Sequence, residues 1–74
     1  MNKKRFSFSI ANDTSREKVF AEIYYNDEEW AEISQEKEKP IITFFPPLHD
    51  KFWEFPLDEA LEILQRAKKS LLNE

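Results

Sequence analysis

Phe6, Phe8 and Ile10 alternate with Ser7 and Ser9, the period-two pattern of a strand with one buried face. Asn12-Asp13-Thr14-Ser15 then breaks the alternation. Two further β-rich runs, Val19 to Tyr25 and Trp30 to Gln35, flank Asn26-Asp27-Glu28-Glu29, and Asn and Asp tolerate the left-handed backbone that turns require. The pattern predicts a hairpin. A three-residue loop at Asp27-Glu28-Glu29 pairs Tyr25 with Ala31 and Tyr24 with Glu32, and gathers Val19, Ala21, Ile23, Ala31 and Ile33 on one face. A two-residue loop sets Trp30 beside Ile23 instead. The first register is the expectation, because it collects the apolar residues on a single face.

Ile41 to Phe45 predicts another strand, which Pro46-Pro47 ends because proline has no N–H for a ladder. Phe52-Trp53-Glu54-Phe55 is again β-rich, and pairing Phe45 with Phe52 predicts a second hairpin with Ile42, Phe44, Trp53 and Phe55 on one face. From Leu57 the period turns helical: Leu57, Ala60, Leu61, Leu64, Ala67 and Leu71 form a stripe that Ile63 and Leu72 widen. Pro56 suits the helix start. Asp58 and Glu59 near its N-terminus and Lys68 and Lys69 near its C-terminus suit the dipole, and Glu62 precedes Arg66 by one turn. The expected fold is α+β, an antiparallel sheet of four to five strands with one C-terminal helix packed on one face, in the order β-β-β-β-β-α. With no glycine, repeat or linker in 74 residues, the whole chain reads as one domain.

The helix has one stripe to bury, so the sheet face led by Val19, Ile23, Ile33, Phe44 and Trp53 is its expected partner. The opposite face is then expected to display Phe20, Glu22, Tyr24, Trp30, Glu32, Ile41, Thr43, Phe45, Phe52 and Glu54, which is apolar for a solvated surface. A contiguous aromatic patch marks an interaction site, and Trp and Tyr are frequent interface anchors. Tyr24, Trp30, Phe45 and Phe52 are the expected anchors of a partner-binding site, with Asp27, Glu28, Glu29 and Glu32 supplying charge. Three other readings of these rings stay open: a shifted register that returns some to the core, the first strand folding over that face, or burial against a second copy in a homodimer.

Charge sharpens the picture. The net charge is −4, and it is uneven: Lys3, Lys4, Arg5, Arg16 and Lys18 outweigh Asp13 and Glu17 in the first part of the chain. Residues 22–39 carry Glu22, Asp27, Glu28, Glu29, Glu32, Glu36 and Glu38 against Lys37 and Lys39. An acidic middle repels nucleic-acid backbones and anionic membranes and suits a basic protein. Nucleic acid is therefore a minor expectation, confined to a phosphate contact by Lys3, Lys4 and Arg5.

Chemistry is poorly provided for. His49 is the one histidine, in a Pro-rich turn beside Asp50, which gives a nucleophile no aligned base and zinc too few ligands. Glu22 and Glu32 lack the cleft that desolvates one of a catalytic carboxylate pair. Phosphate and dinucleotide loops need glycine. Cysteine is absent, which excludes disulfides and thiolate metal centres. The expectation is a binding protein, not an enzyme, with no catalytic residues, metal or cofactor. The basic start is followed by an alternating and then a polar stretch, so no export signal is read, and no apolar run has membrane-spanning length. A cytoplasmic location is expected.

Val19-Phe20-Ala21-Glu22-Ile23 followed by Asp27-Glu28-Glu29-Trp30-Ala31-Glu32-Ile33 resembles the first hairpin of HicB-type antitoxins. Asp58-Glu59-Ala60-Leu61-Glu62-Ile63-Leu64 resembles the start of their helix. The likeness spans about half the chain. It departs from the family in lacking the Pro-Gly-Cys turn and in its longer segment between hairpin and helix, with the additional Phe-Trp-Glu-Phe run. The resemblance implies a toxin-neutralising role and carries over no site residues. Joined to the acidic middle, it gives the functional expectation: an immunity protein or antitoxin masking a basic toxin such as a nuclease, the alternative being a structural or accessory homodimer without a toxin.

Overall fold

The computed structural model describes residues 5–74. Four antiparallel strands, β1 (Phe6–Ala11), β2 (Phe20–Tyr25), β3 (Glu28–Ser34) and β4 (Ile41–Phe44), form one sheet in the order β1-β2-β3-β4, and α1 (Leu57–Leu72) packs against it. This is the expected α+β fold with four strands.

The β2–β3 turn is tighter than expected. Asn26 and Asp27 both have positive φ, 52° and 68°, as a two-residue primed turn demands, and that turn matches the twist of the strands it joins. Tyr25 therefore faces Glu28 and Tyr24 faces Glu29, in place of the expected Ala31 and Glu32. A bulge then restores alignment, with Ile23 opposite Ala31 and Ala21 opposite Ile33. Trp30 is the extra residue, and it turns inward next to Ala31, so both are buried. Ala21, Ile23, Ala31 and Ile33 share the face beneath the helix as expected, whereas Val19 precedes β2 and is exposed.

The core lies between that near face and Ala60, Ile63, Ala67 and Leu71 of α1. Ile23 and Ile63 are its most buried large side chains. The helix packs on β1 and β2, so its buried stripe centres on Ile63 and leaves Leu57 and Leu61 exposed, a correction to the expected stripe. Pro56, in extended conformation, precedes the first turn; Asn73 at φ 61° ends the helix, and the Asn73 and Glu74 amides both donate to the Lys69 carbonyl.

The second hairpin does not form. After Pro46-Pro47 the chain leaves β4 and crosses toward the helix start. Phe55 packs its ring 4.9 Å from Phe6, 4.9 Å from Tyr25 and 5.1 Å from Trp30, and the Trp53 indole N–H donates to the Phe45 carbonyl. The segment between β4 and α1 must reach a helix seated over β1 and β2. Seating Phe55 in the ring cluster takes it away from the outer edge of β4. Phe52 is left exposed at 65%.

Candidate functional site

The face of the sheet turned away from α1 differs from the aromatic patch expected. Ser7 and Ser9 of β1 lie opposite Tyr24 and Glu22 of β2, which in turn face Glu29 and Glu32 of β3, and Thr43 of β4 lies opposite Glu32. Small polar residues thus flank a row of carboxylates on an open sheet. The signal was present in the sequence as Ser7 and Ser9 alternating with Phe6, Phe8 and Ile10.

Trp30 is corrected from surface anchor to core: the bulge turns it to the near face, where it is 6% exposed among Phe6, Phe44 and Phe55. Phe20 does lie on the far face, yet it is buried beneath Arg16, whose guanidinium sits 3.8 Å from the ring centroid. The same guanidinium makes two hydrogen bonds, 2.8 and 3.2 Å, to the Glu32 carboxylate. Arg16 comes from the loop between β1 and β2, and no motif in the sequence marks it as a site residue. That loop is shaped by the Asp13 carboxylate accepting the Ser15 amide, a bond that lowers the Asp13 pKa. It is tethered where the Glu36 carboxylate accepts the Glu17 and Lys18 amides.

Of the expected binding residues, Tyr24, Glu29 and Glu32 are brought together on this face with Glu22. The Tyr24 hydroxyl donates to Glu22 at 3.1 Å, and burial followed by that bond raises the Tyr24 pKa. The Glu29 carboxyl is also pushed up, first by burial and then by the charges of Glu22 and Glu32, with Arg16 opposing. Among the described residues, Arg16 is the one cation ion-paired within this cluster. Asp27 stands exposed at the hairpin tip, and Glu28 beside it accepts the Leu48 amide. Phe45 is half-buried at the end of β4, and Phe52 projects from the following loop, so neither joins the carboxylate row.

The phosphate contact expected of the basic start involves Lys3 and Lys4, which lie outside the described residues; Arg5 pairs with Glu59 at 3.3 Å. His49 and Asp50 are exposed and line an open cleft with Tyr25, Glu28 and Trp53. Among the described residues no group of His, Asp and Glu is arranged to hold a metal ion, and no helix is long and apolar enough to cross a membrane. No family model, curated protein or solved structure matches the chain.

Proposed function

We propose that the chain is a protein-binding module whose acidic sheet face captures a basic partner, serving as a neutralising inhibitor in the manner of an antitoxin or immunity protein. The observation that carries this reading is the row formed by Glu22, Glu29 and Glu32 on an open sheet surface, with Arg16 ion-paired to Glu32 and opposing the row's charge more weakly at Glu29. Such a row suits a basic surface such as the phosphate-attracting site of a nuclease, where carboxylates stand in for phosphates and speed association by steering. The Glu29 carboxyl is pushed up first by burial and second by the charges of Glu22 and Glu32, and a cationic partner relieves the second of these.

Tagged protein incubated with its native cell lysate at low salt tests the proposal. The expected result is a stoichiometric basic protein that is released by salt, is not retained by Glu29→Lys, and loses nuclease activity when the wild-type chain is added back. Equal retention by Glu29→Lys, or recovery of no basic protein, contradicts it. Glu29→Lys is preferable to Glu32→Lys, because Glu32 also holds Arg16 over Phe20.

A further inference from the structure

β4 ends the sheet, and its side chains are unusually apolar for an edge. Ile41, Ile42 and Phe44 are 37%, 41% and 55% exposed, and the segment Ile41–Phe44 carries no charge. Beside Ile42, an apolar groove is walled by Ile33 and Leu64 and rimmed by Lys39 and Lys68. Natural edge strands are blunted by shortness, proline, charge, bulges or covering elements; β4 is short and flanked by Pro40 and Pro46, but among the described residues Ile41–Phe44 itself carries no charge, bulge or proline.

The backbone defines what fits this edge. The Phe45 amide donates to the Trp30 carbonyl at 2.9 Å, and the register sets Ile42 opposite Ile33 and Phe44 opposite Ala31. In an antiparallel ladder bonded and non-bonded pairs alternate, so Ile41, Thr43 and Phe45 turn their backbone groups toward β3. Ile42 and Phe44 therefore turn theirs outward. Pro40 and Pro46 bracket them, and neither has an N–H to offer.

We propose that β4 pairs with β4 of a second copy, antiparallel, about a two-fold axis at Thr43. In that register Ile42 lies opposite the partner's Phe44, and all outward N–H and C=O groups at Ile42 and Phe44 are bonded reciprocally. Shifting the axis to Ile42 or Phe44 sets a proline opposite one of them and leaves a carbonyl without a donor. An odd shift places near-face residues against far-face residues. The Thr43 axis also stacks Ile42 on Phe44 of the other copy, twice, as cross-strand apolar pairs. Pro40 and Pro46 then meet and end the ladder. The joined sheet has eight strands, both helices lie on one side, and both carboxylate rows stay open on the other, so dimerisation and capture of a basic partner are separable.

The absence of cysteine provides a clean probe. Thr43 sits at a non-hydrogen-bonded position on the axis, where paired Cα atoms lie about 4.5 Å apart, within disulfide reach. Light scattering of the wild type is expected to give twice the chain mass of 8.9 kDa. Thr43→Cys is expected to form a covalent dimer under mild air oxidation, while Ser7→Cys, on the strand at the opposite end of the sheet, does not. Ile42→Pro, which removes an outward N–H and spares the β3–β4 ladder, is expected to be folded by circular dichroism and to have the mass of one chain. A wild type that is monomeric throughout a dilution series overturns the proposal. So does a dimer in which Thr43→Cys cross-links no faster than Ser7→Cys.

Discussion

β1 and β4 are the two edges of one sheet, and the chain treats them differently. β1 lies under α1, with Arg5 tied to Glu59 and the Arg66 guanidinium 5.9 Å from the Phe8 ring. β4 carries no charge over Ile41–Phe44 and is separated from Leu64 and Lys68 of α1 by an apolar groove, its side chains staying exposed. The difference follows from dimensions. A helix with its side chains is about 10–12 Å across and strands are about 4.8 Å apart, so one helix covers roughly two strands. In this sheet β3 still buries Trp30, Ala31 and Ile33 with help from Phe55, so the open strand is β4, whose apolar residues are surplus to the intrachain core. At the β1 side apolar residues complete a fold; at the β4 side they are available to a second chain.

The largest expected effects separate the two sides directly. Trp30→Ala, which empties a buried position, is expected to cost about 3–5 kcal/mol, enough to unfold a small domain, whereas Phe44→Ala costs about 1 kcal/mol or less. Urea midpoints at concentrations that keep the chain monomeric measure both, and equal losses break the comparison. Next, Phe55→Ala is expected to cost about 2–3 kcal/mol and Phe52→Ala within about 0.5 kcal/mol of nothing, since only Phe55 enters the ring cluster. A costly Phe52→Ala indicates that Phe52–Phe55 pairs with β4 after all.

Smaller effects belong to the far face. Arg16→Ala is expected to lower Tm by less than either core truncation while uncovering Phe20, and Arg16→Lys restores little, because a lysine cannot make the two-point contact with Glu32. Glu29→Gln is expected to stabilise by at most about 0.5 kcal/mol at neutral pH, because it removes a charge disfavoured first by burial and second by the neighbouring carboxylates of Glu22 and Glu32. The sign follows from the raised Glu29 pKa: the folded state binds the proton more tightly than the unfolded state. Wild-type stability therefore gains as pH falls through the raised folded pKa, and the advantage of Glu29→Gln fades as Glu29 takes up its proton. A Glu29→Gln advantage that is independent of pH contradicts this origin.

Much of the fold is legible in the chain because its periods are clean. Ser7 and Ser9 between Phe6, Phe8 and Ile10 announce β1, and the change of period at Leu57 announces α1. The hairpin register is less legible, because alternation alone does not reveal a bulge; the adjacent apolar pair Trp30-Ala31 within an otherwise alternating strand is its signal. That single residue moves Trp30 from the expected binding face into the core. Phe52 to Phe55 misleads for another reason: aromatic residues serve a strand or a core loop equally well, and only their geometry relative to α1 decides. Alternation places Glu22, Tyr24 and Glu32 on one face, whereas Glu29, expected in the hairpin loop, joins them only through the bulge, and Arg16 requires a loop to fold back across Phe20.

Amide hydrogen exchange along β4, resolved residue by residue, tests the contrast between the two edges most directly. The expected pattern is protection of Ile41, Thr43 and Phe45 at every protein concentration, with Ile42 and Phe44 exchanging freely in dilute solution and becoming protected as concentration rises. Protection of Ile42 and Phe44 that is already present at the lowest concentration and does not change, or their free exchange at the highest, contradicts an open edge that a second copy closes.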